Sequence, residues 1–390
     1  MRPLRMGMVG GGPGAGIGPA HRRAAALDGG YALVAGAFSR DLAKSRALGA
    51  ELGIAPDRIY ATFEAMADAE SRRADGIEVV SIVTPNDSHA PATLAFAERG
   101  IDVVCDKPMA NSLAEALAME RAAADRGVVF ALTHNYGAYP MVAEARHRID
   151  AGELGAIRVA TVEYAHGTRN RLIEAEGDRK MAWRVDAAVA GPSTVLGDIG
   201  THAHHLLRRM TGLEIESLAA ELSTMVPGRR ADDNAFVTMK LEGGARAQLW
   251  ASMVAAGNGH GLRIRVFGEK ASLHWDQEFP DQLELRADGA PYRTLRRGEA
   301  YLCETAQYWS RTKAGNPEGY FGAFANVYAH AAEAIRARRE GRAAHPHATA
   351  HATARDGVAG LRFIEAAVAS HRAGGAWVDA RLPPAGERRR

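Results

Sequence analysis

Lys107, Asp198 and His202 are the residues whose types and surroundings suit proton handling. Asp198 and His202 stand four apart in Gly197-Asp198-Ile199-Gly200-Thr201-His202, and apolar and polar positions keep helical spacing from there to Gly212, so a carboxylate and an imidazole are expected on one helix face. Histidine titrates near neutral pH, and a neighbouring carboxylate can orient it or hold substrate hydroxyls. The plainer reading makes Asp198 a helix N-cap and His202 a satisfied structural histidine. Lys107 follows a short apolar run in Cys105-Asp106-Lys107-Pro108, and lysine is scarce, six among 48 basic residues.

A second chemistry is written near the start. The run Gly10-Gly11-Gly12-Pro13-Gly14-Ala15-Gly16-Ile17-Gly18 lies between an expected strand and an expected helix. Glycine there lets the backbone turn tightly and approach a pyrophosphate, whose charge the helix N-terminus meets. Gly10-x-Gly12-x-x-Ala15 satisfies the dinucleotide pattern as it stands; alternatively Gly18 is the third glycine and the loop carries three extra residues. About 20 residues on, where the adenosine ribose is met, stands Phe38-Ser39-Arg40-Asp41. Ser39 and Arg40 suit the 2′-phosphate of NADP, where a carboxylate would select NAD. The alternative is that Ser39 or Asp41 caps the next helix and Arg40 is solvated.

These groups need a scaffold. Apolar runs at 6–9, 31–38, 78–83, 102–105 and 128–132 alternate with helical patterns, which implies parallel βαβ units and a doubly wound sheet. Beyond residue 133 the pattern turns to strand after strand, at 157–164, 216–225, 234–241, 246–253 and 262–267, with turn residues at Glu242-Gly243-Gly244 and Gly268-Glu269-Lys270, which argues an antiparallel sheet. Two helical stretches follow, at 320–339 and 354–371. The fold class is α/β with a second α+β domain whose open sheet is mainly antiparallel, divided as 1–133 and 134–380. Thr84-Pro85-Asn86-Asp87-Ser88-His89 and Asp106-Lys107-Pro108 then lie beyond the carboxyl ends of parallel strands, where such sheets bind ligands.

With the glycine loop, Thr84-Pro85-Asn86 with His89, Asp106-Lys107-Pro108 and Asp198 with His202 in that order, the chain resembles the Gfo/Idh/MocA oxidoreductases, which include inositol and related sugar dehydrogenases. The resemblance spans nearly the whole chain. It implies an N-terminal Rossmann domain, a nicotinamide cofactor (NADP or NAD), and a substrate-binding second domain that also assembles the protein as a homodimer or homotetramer. It implies hydride transfer at a ring secondary hydroxyl of a sugar, cyclitol or glycoside, with Lys107, Asp198 and His202 as catalytic residues. Gly10, Gly12, Pro13, Gly14, Ala15, Ile17, Ser39, Arg40, Thr84, Pro85, Asn86, His89, Asp106 and Lys107 would meet the cofactor. The family also holds glycosidases that use bound NAD for a transient oxidation, and non-catalytic sugar-sensing regulators; a regulator should lack the lysine and histidine. Asp106 replaces the family's usual glutamate, and the shorter side chain can change how Lys107 is aimed.

His134, Asn135 and Tyr136 at the domain junction, and Arg169, Trp183 and Arg184 in an irregular insertion, suit a polyhydroxylated ring by edge hydrogen bonds and stacking, together with Asp198 and His202. Surface arginine in an arginine-rich chain is the competing reading. His202, His204 and His205, and His345, His347 and His351, lack a spaced carboxylate or cysteine, and hydride transfer to nicotinamide needs no metal, so no metal is expected.

Composition narrows the remaining classes. In 390 residues, 48 basic side chains are nearly matched by 46 acidic ones and no basic run interleaves with aromatics, which disfavours nucleic acid and anionic lipid. The basic start gives way to glycines too early for a signal peptide, and no apolar run nears the roughly 20 residues that span a bilayer. Two cysteines, Cys105 and Cys303, make no disulfide framework, so a reducing cytoplasm is expected.

Overall fold

The computed structural model describes residues 1–177 and 183–384. They form two compact units, Met1–Thr133 with Phe324–Val358, and His134–Ala323 with Ala359–Pro384.

The first unit holds a parallel sheet of five strands, β1 (Leu4–Gly10), β2 (Tyr31–Ala37), β3 (Val79–Val83), β4 (Asp102–Cys105) and β5 (Phe130–Leu132), in the order β2-β1-β3-β4-β5. β3 is buried along its whole length, as a strand covered on both faces should be. Helices Gly18–Leu27, Leu42–Glu51, Phe63–Arg72, His89–Ala97 and Leu113–Arg126 alternate with the strands. Their ends follow local chemistry. Thr62 caps one start, Ser112 and Glu115 form a reciprocal capping box at another, and Gly127 closes that helix at φ 61°.

One boundary moves. Residues 324–358, grouped by the sequence pattern with the second domain, pack on the parallel sheet. The reason is charge. Glu78 and Asp102 are buried carboxylates beside β3 and β4, and the helix Tyr320–Glu340 brings them cations: Arg338 donates to Asp102 at 2.7 Å, and Arg339 lies 3.3 Å from Glu78, which Arg2 also holds at 2.6 Å. A buried carboxylate needs such a partner. The segment after that helix adds to the sheet edge through Leu132 N–H on the Ala352 carbonyl at 2.8 Å.

The second unit carries a nine-stranded sheet among the described residues: β6 (Ile157–Ala165), β7 (Ile215–Ser223), β8 (Asn234–Leu241), β9 (Arg246–Ser252), β10 (Leu262–Gly268), β11 (Ala271–Asp276), β12 (Gln282–Ala287), β13 (Arg293–Arg296) and β14 (Val378–Asp379). The order is β13-β12-β11-β10-β6-β9-β8-β7-β14, antiparallel except for the parallel pair β6 and β9. Leu273 and Trp275 of β11 and Leu283 and Leu285 of β12 alternate inward to extend the core. Helix Thr201–Thr211 packs on β6, β9 and β10. Alternate residues of the sheet stay outside, among them Val159, Phe236 and Phe267. No helix among the described residues is long and apolar enough to cross a membrane.

Candidate active site

In the first unit the motifs gather at the carboxyl ends of β1, β3 and β4. Gly10 takes a positive φ of 82°, and a Cβ there would strike the Val83 carbonyl and Thr84. Pro13 and Gly14 form an exposed turn, closed by the Ala15 N–H on the Gly12 carbonyl at 3.0 Å. A Cβ at Gly12 would lie 2.6 Å from the Phe38 carbonyl oxygen, and one at Gly18 would lie 2.5 Å from the Cα of Gly11. Gly18, not Ala15, therefore provides the close approach of helix to strand, and the loop is the longer of the two forms the sequence allowed.

The site suits a pyrophosphate. Helix Gly18–Leu27 starts at Ile17, whose side chain has no acceptor, and among the described residues no side chain caps its first N–H groups. An anion is the partner such an end favours. The Thr84 hydroxyl is buried with no hydrogen-bond partner among the described residues. Arg22, on the same helix, donates to the Gly11 carbonyl at 3.0 Å and brings a cation beside the loop; the sequence reading passed over it.

At the tip of β2, Arg40 is exposed. The Ser39 hydroxyl accepts the Asp41 N–H at 3.1 Å, and the Asp41 carboxylate accepts the N–H groups of Ala43 and Lys44 at 3.0 and 3.3 Å. Asp41 is the N-cap of Leu42–Glu51, and those backbone donors hold its carboxyl below its ordinary value.

His89 ties two motifs together. Its Nδ1 lies 2.8 Å from the Pro108 carbonyl and its Nε2 3.0 Å from the Thr84 carbonyl, while Pro85 is exposed and Asn86 buried between them. Burial lowers the imidazole's proton affinity against the pull of Asp106 and the two carbonyls. Asp106 anchors the next residue: its Oδ1 accepts the Lys107 N–H at 2.9 Å and the Thr133 hydroxyl at 2.8 Å, and His21 Nε2 lies 3.6 Å away. Burial opposes the Asp106 charge, but His21, Lys107 and His89 outweigh it and hold the carboxyl well below the usual carboxylate range. The fully buried His21 continues to Tyr328 Oη at 2.8 Å, which meets Ser81 Oγ at 2.8 Å.

In the second unit, Asp198 lies in a π turn, Leu196–Gly200, and the α-helix begins only at Thr201. Hydrogen bonds in a π turn run five residues apart, so the regular α-helix expected over both Asp198 and His202 starts only after the carboxylate. The Asp198 carboxylate accepts from Arg169 at 2.7 Å and lies 3.7 Å from Arg184, whose guanidinium stacks 4.4 Å from the Trp183 ring. Arg171 is exposed, and its carbonyl, like that of Arg169, is held by the buried Arg229. Arg229 thereby ties down residues 169–174, with Glu174 and Asp233 as its counter-charges.

His202 is buried against aromatic rings, 4.6 Å from Tyr136 and 6.1 Å from Tyr164 between centroids. His134 stands beside it, Nδ1 to Nδ1 at 3.4 Å, and stacks on His205 at 4.3 Å. The Asn135 amide nitrogen is buried without a partner among the described residues. The sequence reading missed Tyr164, His166 and His260. Tyr164 and His166 alternate at the end of β6, and that two-residue period was the available signal. Burial, then Arg169, lowers His166 to about 4, and burial also lowers His260. His204 is spent on stacking against Phe363.

Comparison with known proteins agrees with this architecture. Residues 4–134 match the oxidoreductase family with an NAD-binding Rossmann fold, and residues 142–274 match the GFO/IDH/MocA C-terminal domain. The chain is 36% identical over 384 residues to the uncharacterized oxidoreductase YfiI of Bacillus subtilis (strain 168), covering 97% of each. It is 39% identical to the inositol dehydrogenase homolog of Azotobacter vinelandii solved with NADH and myo-inositol, with a TM-score of 0.89 over 97% of this chain and 98% of that one. Levoglucosan dehydrogenase in complex with NADH and levoglucosan is 25% identical, with a TM-score of 0.79 over 97% and 99%. The Rossmann unit with its long glycine loop, the mainly antiparallel second sheet and full-length likeness to these oxidoreductases lead to one assignment: the chain belongs to the Gfo/Idh/MocA family of NAD-binding oxidoreductases.

Proposed function

We propose that the protein is an NAD(P)-dependent dehydrogenase that oxidises a ring secondary hydroxyl of a sugar, cyclitol or glycoside. The observation that carries this reading is His202, set among Tyr136 and Tyr164 in the unit that also presents Asp198 on Arg169. Aromatic faces and a charge-paired carboxylate suit a polyol ring: stacking on its C–H face and hydrogen bonds to its hydroxyls. Levoglucosan and myo-inositol, in the complexes of the relatives, are ligands of that kind.

The glycine loop, Thr84 and Arg22 would hold the pyrophosphate of the cofactor, and the nicotinamide would supply the hydride acceptor. His202 takes the hydroxyl proton as general base. Lys107, its backbone fixed by Asp106, hydrogen-bonds the substrate oxygen and stabilises the charge that develops there. Asp198 receives a neighbouring hydroxyl in the geometry that Arg169 sets. At the adenosine end Ser39 and Arg40 would admit a 2′-phosphate, since Asp41, the carboxylate that follows them, is engaged as a helix cap. Asn135, Trp183 and Arg184 complete the substrate set, and the buried His134 contributes through its contact with His202.

The uncovered face of the nine-stranded sheet supports assembly into a homodimer or homotetramer. Phe236 stacks on Trp250 at 6.0 Å in a groove of about 360 Å³ between β6, β8, β9 and β10, with Glu163, Arg263 and Arg265 around them, and exposed aromatic rings ringed by charge favour a partner. Light scattering at micromolar concentration tests this; a monomer contradicts it. Two unpaired cysteines suit a reducing cytoplasm.

The reaction is tested by incubating the protein with NAD or NADP and a panel of inositols, aldoses and glycosides while following the absorbance of reduced cofactor. Release of an aglycone without net reduced cofactor would indicate the glycosidase reading instead.

A further inference from the structure

Two imidazoles meet nitrogen to nitrogen in the second unit. Nδ1 of His134 and Nδ1 of His202 are 3.4 Å apart, with the rings nearly perpendicular at 84°. Like atoms in such a contact attract only when one carries a proton and the other a lone pair. Two N–H groups would point at each other, and two lone pairs would repel. A hydrogen bond at this contact therefore places one proton between the two rings. His134 is the more enclosed ring, 1% exposed against 7% for His202, and its face lies parallel on His205 at an interplanar angle of 7°.

We propose that His134 is a positioning residue for His202: by accepting the His202 Nδ1–H it fixes the tautomer in which His202 presents a lone pair at Nε2. The inference rests on the reading of His202 as the general base. A neutral histidine ordinarily carries its proton on either ring nitrogen, and the hydrogen bond made by one nitrogen decides what the other can do. With His134 as acceptor, the base is ready before substrate arrives. When His202 Nε2 takes the substrate hydroxyl proton, the O–H bond breaks and an N–H bond forms. The shared Nδ1 proton can then pass to His134, which moves the positive charge one ring inward, over the face of His205. No electrons change hands in either transfer. The groups around the pair are Tyr136 and Tyr164, with His166, His260 and the Arg169–Asp198 pair in the same unit.

The test is nitrogen NMR of the full chain labelled with ¹⁵N-histidine, the His202 signals being assigned by His202→Gln. In the wild type His202 should show a protonated Nδ1 and an unprotonated Nε2 at neutral pH. His134→Phe keeps a ring against His205 but removes the acceptor, and the His202 proton should move to Nε2; His134→Asn offers an amide oxygen and should keep it on Nδ1. With a substrate found in the cofactor assay, His134→Phe should lower kcat by about 10- to 100-fold with KM nearly unchanged, and His134→Asn should recover most of the loss. A wild-type His202 protonated on Nε2 overturns the proposal, whether or not His134→Phe folds, and so does a tautomer that stays the same in a folded His134→Phe. Failure of every polyol to reduce the cofactor would remove the base role of His202 and leave the tautomer result standing.

Discussion

Arg169 holds Asp198: the guanidinium Nη1 donates to the carboxylate Oδ2 at 2.7 Å, with both side chains only partly exposed. In the proposed reaction Asp198 therefore meets substrate as half of an ion pair. Asp198→Ala should weaken substrate binding and turnover together, and Arg169→Ala should do the same by loosening the carboxylate. Residues in direct contact are not additive, so the double variant should fall short of the product of the singles by a coupling of about 1 to 3 kcal/mol in kcat/KM. Steady-state kinetics of the four proteins measure it; full additivity would show that the pair does not act as a unit.

The loop geometry predicts which small residue is indispensable for the nucleotide. With Gly18 against the Gly11 Cα, Gly18→Ala forces backbone apart at the pyrophosphate end of the helix. Overpacking of about 1 to 3 kcal/mol corresponds to cofactor affinity weakened by roughly 10- to 100-fold. Ala15→Ser, in the turn before the helix, should bind nearly as the wild type does. Fluorescence titration with reduced cofactor compares them, and a tolerant Gly18 would mean that the helix does not need this approach.

The cofactor preference is open to a single substitution. Ser39→Asp puts a carboxylate at the tip of β2, where it would repel a 2′-phosphate and accept ribose hydroxyls. The ratio of NAD to NADP affinity should rise by a factor equivalent to about 1 to 3 kcal/mol, the worth of a hydrogen bond to a charged group. Parallel titrations of wild type and variant read it; a wild type that strongly prefers NAD would show that Ser39 and Arg40 do not meet the phosphate.

Much of this site could be read from spacing, and the misses have physical causes. The glycine run, Thr84 to His89, Asp106-Lys107-Pro108 and Asp198 with His202 are local signals. Whether Ala15 or Gly18 meets the strand depends on how the loop folds back, which spacing alone does not decide. Strands β11 to β13 alternate correctly but are short, and their charged outward positions masked the pattern. The return of 324–358 to the first unit depends on arginines finding carboxylates more than 200 positions away, a tertiary match with no local mark. The ion pairs of Asp198 with Arg169 and Arg184 reach into an irregular insertion whose fold helical spacing does not reveal.

The buried carboxylate beside β3 predicts an acid transition. Burial opposes the Glu78 charge, but Arg2, Arg5 and Arg339 lower its carboxyl from 4.5 to about 2. A lowered folded-state value contributes stability that is complete above the unfolded value and is lost as pH falls from about 4.5 towards 2. The contribution at neutral pH is about 3 kcal/mol. Glu78→Gln should therefore be less stable than wild type at pH 7 and approach it near pH 2, as followed by denaturant unfolding across that range. A constant difference at every pH would mean that packing, not charge, sets the contribution of Glu78.

The central claim, that Lys107 and His202 carry a proton-coupled hydride transfer, is tested most directly by stopped-flow measurement of the hydride step in wild type, Lys107→Ala and His202→Ala with a polyol substrate. Each variant should transfer hydride about 10² to 10⁴ times more slowly with cofactor affinity nearly unchanged, and the double variant should be little worse than the slower single. Full-rate hydride transfer in His202→Ala above pH 8 would show that another group takes the proton, and would contradict the account.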